Sequence, residues 1–402
     1  MTARRAALHA GPPLLLSGLW ALLWTGPLAD VRITDIFIYQ GYAQLLDAGA
    51  TPYSSGMPLE YPPLALAPIW LARALGGDAH YEVAFGVLMG VAALATMALV
   101  ARLGGLRAAW LFALTPALAG AVLRTHFDMV AALALMLALV TLSDRRTRMA
   151  AFALLGVGAM VKLFPAVLVP VAAAWLHGRG ETKAALGGIA IFAVVVLAIS
   201  APFLGGGYAD SYRFHLDRPT QIESTPAVLL YVVGGTHVTG STTQADEFKS
   251  NGLRGGPEAA IRKLFSLLGI VAIGLVAWLA TRRADTEHLM LCCAAALLAF
   301  VALNKVFSPQ YVAWLAPLAA LLWVWRARAA AALTAAAILL TQLEFPRRYF
   351  DLVNGHDGVR VLVGVRDAAL LAALALVIAR ASGSARSPRP AAAAPRTAPA
   401  RP

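Results

Sequence analysis

The apolar residues of this chain fall into runs of about 15 to 20 residues, the length of a bilayer-crossing helix, and short polar segments separate the runs. The first run covers 12–28. The others lie at 81–101, 107–122, 127–142, 149–162, 164–177, 184–203, 262–281, 287–303, 309–325, 328–343 and 361–379. This pattern predicts an all-α polytopic membrane protein with about twelve transmembrane helices.

The segment 62–77 is apolar but short, and it contains three prolines and Arg73. It could cross the bilayer or lie as a helix in the outer interface. Basic loops stay on the cytoplasmic side, and only an interfacial 62–77 leaves most basic clusters there. Those clusters lie at 102–107, 144–148, 179–183, 282–283 and 326–328. We therefore predict an interfacial helix, with both termini cytoplasmic and the run after Arg4 and Arg5 kept as an uncleaved first span.

Composition supports a membrane protein and excludes several functions. Hydrophobic residues make up 59% of the chain and charged residues 13%, against about 25% charged in soluble proteins. The net charge of +12 sits largely in short loops, as the positive-inside bias produces, so nucleic-acid binding is rejected. Cys292 and Cys293 are adjacent within an apolar run and indicate neither a disulfide nor a metal site. No cofactor is predicted, although a paired aspartate could still hold a divalent cation.

We predict one transmembrane domain over 1–380 and a disordered, cytoplasmic Pro/Ala/Arg tail over 381–402. Two outer loops interrupt the domain. The first, 30–77, is rich in Asp, Tyr and Pro, and the second, 204–260, is long enough to be either functional or disordered. The end of the second loop, from 241 to 260, is expected to be mobile.

The polar clusters that are not cytoplasmic basic patches all fall on the predicted outer side. They are Asp30–Tyr61, Arg124–Asp128, Lys162, 204–260, Asn304–Tyr311 and Glu344–Arg366. A carboxylate there can act as a general base, Lys or Arg can hold a phosphate, and aromatic rings can stack on a sugar. The chain has no nucleotide-binding GxxxxGK[ST] or GxGxxG signature. This favours group transfer from a lipid-borne phosphate over use of a cytosolic nucleotide sugar.

Two stretches of the first outer loop, TDIFIYQGYAQLLDAGATPY and LEYPPLALAP, resemble the corresponding loop of GT-C glycosyltransferases. They look most like glycosyltransferase family 87, which includes polyprenol-phosphate-mannose-dependent mannosyltransferases. The pattern is also similar to that of the catalytic subunit of GPI mannosyltransferase I. Two further segments, VKLFPAVLVP and FVALNKVFSPQYVAWLAPL, resemble segments that follow in the same order in the family. The resemblance spans about 12–380. It implies a GT-C-like fold in the plasma membrane with an active site on the extracytoplasmic face.

The resemblance also implies a reaction and a base. A polyprenyl-phosphate sugar, with mannose expected, would be the donor, and the acceptor would be a lipid- or glycan-linked hydroxyl. The family's first-loop aspartate falls on Asp35, and Asp30 is the alternative base. Asp35 could instead only cap the helix that begins at Ile36, although Thr34 could supply that cap. A flippase for lipid-linked sugars is the alternative function, against which we see no inverted repeat.

The other candidate residues would bind substrate or donor, and each has a structural alternative. Lys162 and Lys305 could hold the donor phosphate, or Lys162 could simply snorkel to the interface. Arg366 could bind an anion or only neutralise Asp367, and His126 could be a solvated loop residue. The remaining candidates are Tyr39, Tyr53, Glu60, Tyr61, Asp128, Asn304, Gln310 and Tyr311.

Overall fold

A computed structural model describes residues 3–239 and 250–383 of the chain, with side chains from His9 onward. The described part is mostly helical. Its α-helices, in chain order, are α1 Ala3–Ala21, α2 Ile36–Asp47, α3 Leu66–Gly76, α4 Tyr81–Ala113, α5 Thr115–Ala119, α6 Val122–Thr125, α7 Asp128–Ser143, α8 Arg148–Val161, α9 Leu168–Gly178, α10 Thr182–Ser200, α11 Tyr208–Asp217, α12 Thr225–Val233, α13 Glu258–Ala280, α14 Thr286–Leu303, α15 Val312–Val324, α16 Arg328–Glu344, α17 Tyr349–Val353 and α18 Asp357–Ser382.

Five helical segments among the described residues are long and apolar enough to cross a membrane. They are Tyr81–Ala113, Thr182–Phe203, Glu258–Ala280, Thr286–Leu303 and Asp357–Ser382. Only 17% of the apolar stretches of α10 and α13 is buried, against 78% for α14. Helix α14 is therefore central, whereas α10 and α13 present apolar sides outward, as expected of a membrane protein. The helical class is confirmed, and the count of about twelve spans and their sidedness stay predictions.

The predicted span 107–122 is wrong as a single helix. Helix α4 runs through its start but is interrupted at Gly105, which has φ 71° and ψ −172°. The short helices α5 and α6 follow, with Gly120 at φ 67° between them and Pro116 in the first turn of α5. Glycine adopts these positive φ values without steric cost, so Gly105 bends α4 just before the apolar run and Gly120 divides the run itself.

The second outer loop is more ordered than its sequence suggests. It contains helices α11 and α12 and a small antiparallel sheet with strand order β1-β3-β2, in which β1 is Thr220–Gln221, β2 is His237–Thr239 and β3 is Gly252–Arg254. The prediction of an all-α chain is wrong in this detail. Asn251 and Leu253 are buried, so 250–260 is held in place rather than mobile. The rest of the segment expected to be mobile, 241–249, lies outside the described residues.

The segment 62–77 forms a short 3₁₀ turn followed by α3, and α3 packs against α2 and α4. Ile69 and Ala72 are fully buried on that side, and the Tyr81 hydroxyl donates a hydrogen bond to the Ile69 carbonyl at 3.1 Å. Its placement at the interface stays a prediction. Helix α18 extends to Ser382, two residues into the predicted tail, and 384–402 lies outside the described residues.

Candidate active site

A cavity of about 350 Å³ lies where the links between several helices meet. It joins Asp35, Lys162 and Lys305, three residues from distant parts of the chain. The other predicted site residues that line it are Glu60, Tyr61, His126, Asn304, Gln310 and Tyr311. Residues that sequence reasoning missed also line it: Phe214, His215, Arg218, Gln221, Glu223, Trp314 and Tyr349. One cavity thus collects acidic, basic and aromatic groups.

Asp35 lies at the N-cap position of α2, but its side chain forms no capping hydrogen bond. Thr34 Oγ1 instead accepts the hydrogen bond from the Ile36 amide, at 3.2 Å. The Tyr39 hydroxyl, one turn into α2, donates to Asp35 Oδ2 at 3.2 Å. The Asp35 side chain remains 27% exposed on the cavity wall. Its carboxylate is therefore held in place and accessible to a ligand.

His126 is buried and faces Asp35, so it is not the solvated loop residue that its sequence context allows. Its Nε2 lies 3.4 Å from Asp35 Oδ2. Its Nδ1 lies 3.2 Å from the Val122 carbonyl and 3.0 Å from Thr125 Oγ1. We call Asp35 and His126, which line the cavity, together with the fully buried Tyr39 that supports Asp35 but does not line it, the acid wall.

Arg218 and Lys305 also line the cavity, and we call these two residues the cation wall. Lys305 Nζ donates to the carbonyls of Leu216 at 2.6 Å and Arg218 at 2.8 Å. The Arg218 guanidinium donates to Ser250 Oγ at 3.1 and 2.6 Å. Burial, together with the positive charges of Arg262 and Arg218, lowers the pKa of Lys305 to about 8. Across 3–239 and 250–383, no carboxylate forms an ion pair with either cation.

Asp128 and Lys162 form a tight buried pair instead of two independent binding groups. Lys162 Nζ donates to both carboxylate oxygens of Asp128, at 2.8 and 2.9 Å. The Asp128 side chain is 2% exposed and does not line the cavity. The ammonium group also lies 5.4 Å from the Trp314 ring centre. The predicted substrate-binding role of Asp128 is replaced by that of counterion to Lys162.

Arg366 was predicted to bind substrate, but the structure buries it behind the cavity. Its Nε donates to Asp367 at 2.9 Å, its Nη2 donates to the Glu223 carbonyl, and its Nη1 lies 4.0 Å from Glu344. The guanidinium also lies over the Phe307 ring. The alternative from the sequence, neutralisation of nearby acids, is what the structure shows.

Glu223 is the acidic residue of the cavity that sequence reasoning missed. It is fully buried, and its Oε2 accepts a hydrogen bond from Gln221 at 2.8 Å. Burial, and then the negative charge of Glu344, raises the pKa of Glu223 well above its ordinary value. No motif marks this position, because its neighbour Glu344 comes from a distant helix.

Two further candidates, Asp30 and Tyr53, form contacts that hold the first outer loop and do not line the cavity. Asp30 is paired with Arg32 at 2.9 Å and with Arg347 at 3.2 Å. Burial raises the pKa of Asp30, but hydrogen bonds and charges from these two arginines outweigh burial and lower it overall. Tyr53 is buried, and its hydroxyl donates to the Tyr61 carbonyl at 2.8 Å. The geometry thus separates Asp30 from Asp35, which faces the cavity.

The remaining lining residues supply rings and hydrogen-bonding groups. The Tyr311 ring stacks on Trp314 with 3.9 Å between ring centres, and Tyr61 contacts Phe127 edge-on. His215 Nε2 hydrogen-bonds the Glu60 carbonyl at 2.9 Å, and burial lowers the pKa of His215 to about 4. In the described part of the chain, no group of three or more His, Cys, Asp or Glu side chains is arranged to hold a metal ion.

A comparison with protein families now adds to this geometry. A family model described as glycosyltransferase family 87 matches residues 59–309. The match includes Lys162, Arg218 and Lys305 but begins after Asp35, so the assignment of Asp35 rests on geometry and on the first-loop motif. A search of curated proteins found no match. The family match covers more than half of the chain, and the protein is an enzyme of the membrane that belongs to glycosyltransferase family 87.

Proposed function

We propose that this enzyme transfers a sugar, mannose in the first instance, from a polyprenyl phosphate to a hydroxyl of a lipid- or glycan-linked acceptor, with inversion. The observation that carries the proposal is that one cavity is lined both by a carboxylate and by two cations. Asp35 stands on the acid wall, and Arg218 and Lys305 stand on the cation wall. These are the charges needed to activate a hydroxyl and to hold a leaving phosphate within one cavity.

Asp35 acts as the general base in this proposal. Among the described residues, no Lys or Arg forms an ion pair with its carboxylate. Tyr39 holds the carboxylate by one hydrogen bond and leaves it open to the cavity. Asp35 takes the acceptor's hydroxyl proton as the oxygen attacks the anomeric carbon.

Arg218 and Lys305 hold the polyprenyl phosphate. A guanidinium and an ammonium group both bind phosphate oxygens, and their charge stabilises the phosphate as the bond to the anomeric carbon breaks. A phosphate needs little protonation to leave, so one base suffices without a second carboxylic acid. Lys162 contributes less, because Asp128 already neutralises its charge.

The cavity walls also suit a sugar and a membrane-borne donor. The stacked pair of Tyr311 and Trp314 offers an aromatic surface of the kind that packs on a sugar ring. The site is proposed to face the extracytoplasmic side of the plasma membrane, with both termini in the cytoplasm. This placement follows the distribution of basic loops.

Sugar transfer by reconstituted membranes tests the proposal. Proteoliposomes would receive radiolabelled polyprenyl-phosphate-mannose, or the glucose equivalent, with a panel of lipid and glycan acceptors. Asp35→Asn is expected to lower the transfer rate by about 10²–10⁴-fold, the usual contribution of a general base. Asp357→Asn, which changes an aspartate that is 94% exposed and outside the cavity, is the matched control.

Equal transfer by wild type and Asp35→Asn would overturn the assignment of the base. A complete lack of transfer from every polyprenyl-phosphate sugar, together with measurable movement of the lipid across the bilayer, would favour a flippase instead.

A further inference from the structure

The side chain of His126 is held with its two ring nitrogens in different surroundings. The residue follows α6 in an extended conformation, and its side chain is 4% exposed. Nε2 points at Asp35 Oδ2, and Nδ1 points back at α6, towards Val122 and Thr125. The contacts at Nδ1 determine where the ring carries its proton.

Both neighbours of Nδ1 act as hydrogen-bond acceptors. The Val122 carbonyl can only accept, and the Thr125 hydroxyl donates its own hydrogen to the Ala121 carbonyl at 3.1 Å. We therefore assign the proton of a neutral His126 to Nδ1. A neutral His126 then presents the lone pair of Nε2 to Asp35.

Asp35 and a neutral His126 thus form a pair of acceptors with no hydrogen between them. The carboxylate oxygen and Nε2 are 3.4 Å apart, long for a hydrogen bond but within the range of catalytic contacts that tighten when substrate binds. One added proton can be held between the two atoms, so the two groups would exchange it as a coupled pair.

We propose that His126 is a positioning residue that acts through Asp35, by sharing the proton that Asp35 removes from the acceptor hydroxyl. This inference rests on the proposed role of Asp35. The acceptor O–H bond breaks as the new bond to the anomeric carbon forms, and the bond from that carbon to phosphate breaks, with its electrons leaving on the phosphate. The proton stays between Asp35 Oδ2 and His126 Nε2 until solvent removes it.

Other charged and titratable groups near His126 are already occupied. Asp128, at the start of α7, lies within electrostatic reach but is bound to Lys162. Tyr39 of α2 donates its hydroxyl hydrogen to Asp35. Tyr61 is buried nearby, and burial raises its pKa well above the ordinary value, so its hydroxyl stays protonated. Asp35 is therefore the proton partner of His126 in the described part of the chain.

His126→Asn separates the proposed role from a structural one. The Asn amide can retain the hydrogen bond to the Val122 carbonyl, and the variant lacks a group equivalent to Nε2. We expect kcat to fall about 10–100-fold with the KM for polyprenyl-phosphate-mannose little changed. We also expect the acidic limb of the kcat/KM profile to move down by about one pH unit or more, towards the range of an isolated carboxylate.

The controls distinguish the possible failures. His356→Asn changes an exposed histidine outside the cavity and should leave the profile unchanged. His126→Asn with a wild-type acidic limb would overturn the proton-sharing role, whatever its effect on yield or stability. Undiminished transfer by Asp35→Asn would overturn the proposed base and this inference together, whereas an inactive Asp35→Asn with an unshifted His126→Asn profile would overturn the inference alone.

Discussion

The acid wall and the cation wall are held by hydrogen bonds of opposite direction: a neutral donor holds Asp35, and neutral acceptors hold Lys305 and Arg218. On the acid wall, the Asp35 carboxylate receives a hydrogen bond from a neutral tyrosine and faces a histidine nitrogen. On the cation wall, Lys305 donates to two backbone carbonyls and Arg218 donates to a serine hydroxyl. Neutral groups thus orient both walls of the 350 Å³ cavity, and among the described residues no ion pair joins Asp35 to Arg218 or Lys305.

The pair formed by Asp128 and Lys162 shows what happens when such charges do meet. It lies beside the same cavity, but its two charges neutralise each other and its carboxylate is buried. A neutralised pair can support the fold, whereas separated charges are available to a substrate whose own charge changes during the reaction. Asp128 and Asp35 therefore differ in whether each forms an ion pair, and this difference cannot be read from their neighbours in the sequence.

Breaking the buried pair should give the largest effect on stability. Asp128→Asn leaves the Lys162 ammonium without its counterion, and we expect the free energy of unfolding to fall by about 3–5 kcal/mol. Thermal unfolding in detergent would measure the change. Asp35→Asn, by contrast, should unfold close to wild type, because Asp35 has no ion-pair partner of this kind in the described chain.

The double variant Asp128→Asn/Lys162→Met is the control for that experiment. Removing both charges avoids an uncompensated buried ion, so it should recover much of the lost stability. Equal stability of wild type and Asp128→Asn would contradict the view that the pair supports the fold.

Removing a charge from the cation wall should mainly lower kcat/KM for the polyprenyl-phosphate sugar. Arg218→Gln loses a bidentate phosphate donor, and we expect kcat/KM for polyprenyl-phosphate-mannose to fall about 10–100-fold, the equivalent of one or two charge-assisted hydrogen bonds. Steady-state transfer at varied donor concentration would measure it. Arg213→Gln, an exposed change on the neighbouring surface of α11, should have little effect. If both variants behave alike, Arg218 does not hold the donor.

The smallest expected effect is on the basic side of the pH profile. The pKa of Lys305 is about 8, so its charge is present below that pH and is lost as the pH rises through it. We expect kcat/KM for the donor to fall several-fold above pH 8. Lys305→Arg should remove this fall because arginine stays charged, and Lys263→Arg serves as a control outside the cavity. A wild-type profile that stays flat to pH 10 would argue against a phosphate contact by Lys305.

Sequence reasoning predicted the helical elements well where apolar runs were long and uninterrupted, as in α10, α13 and α14. It failed at 107–122, an apolar run that reads as one span but breaks at Leu114 and again at Gly120, which has a positive φ. It also missed the sheet of the second outer loop, whose strands are only two or three residues long. Strands so short carry no alternating pattern, and their pairing depends on segments far apart in the chain.

Sequence reasoning also found some residues of the candidate site and missed or misassigned others. The first-loop motif led to Asp35, and the segments containing Lys162 and Lys305 led to residues that line the same cavity. Arg218 and Glu223 were missed because they lie in a loop without a recognisable motif. Asp128 and Arg366 were predicted as binding residues, but each is buried against a partner whose position only the folded chain reveals.

The sequence by itself determined that this is a helical membrane protein with acidic, basic and aromatic residues concentrated in a few interhelical segments. Hydrophobic periodicity and composition are local properties, so they can be read along the chain. The tertiary structure alone decided which charges cancel and which remain available. Ion pairing depends on distances of a few ångströms between distant segments, and those distances leave Asp35 facing a cavity while Asp128 is bound to Lys162.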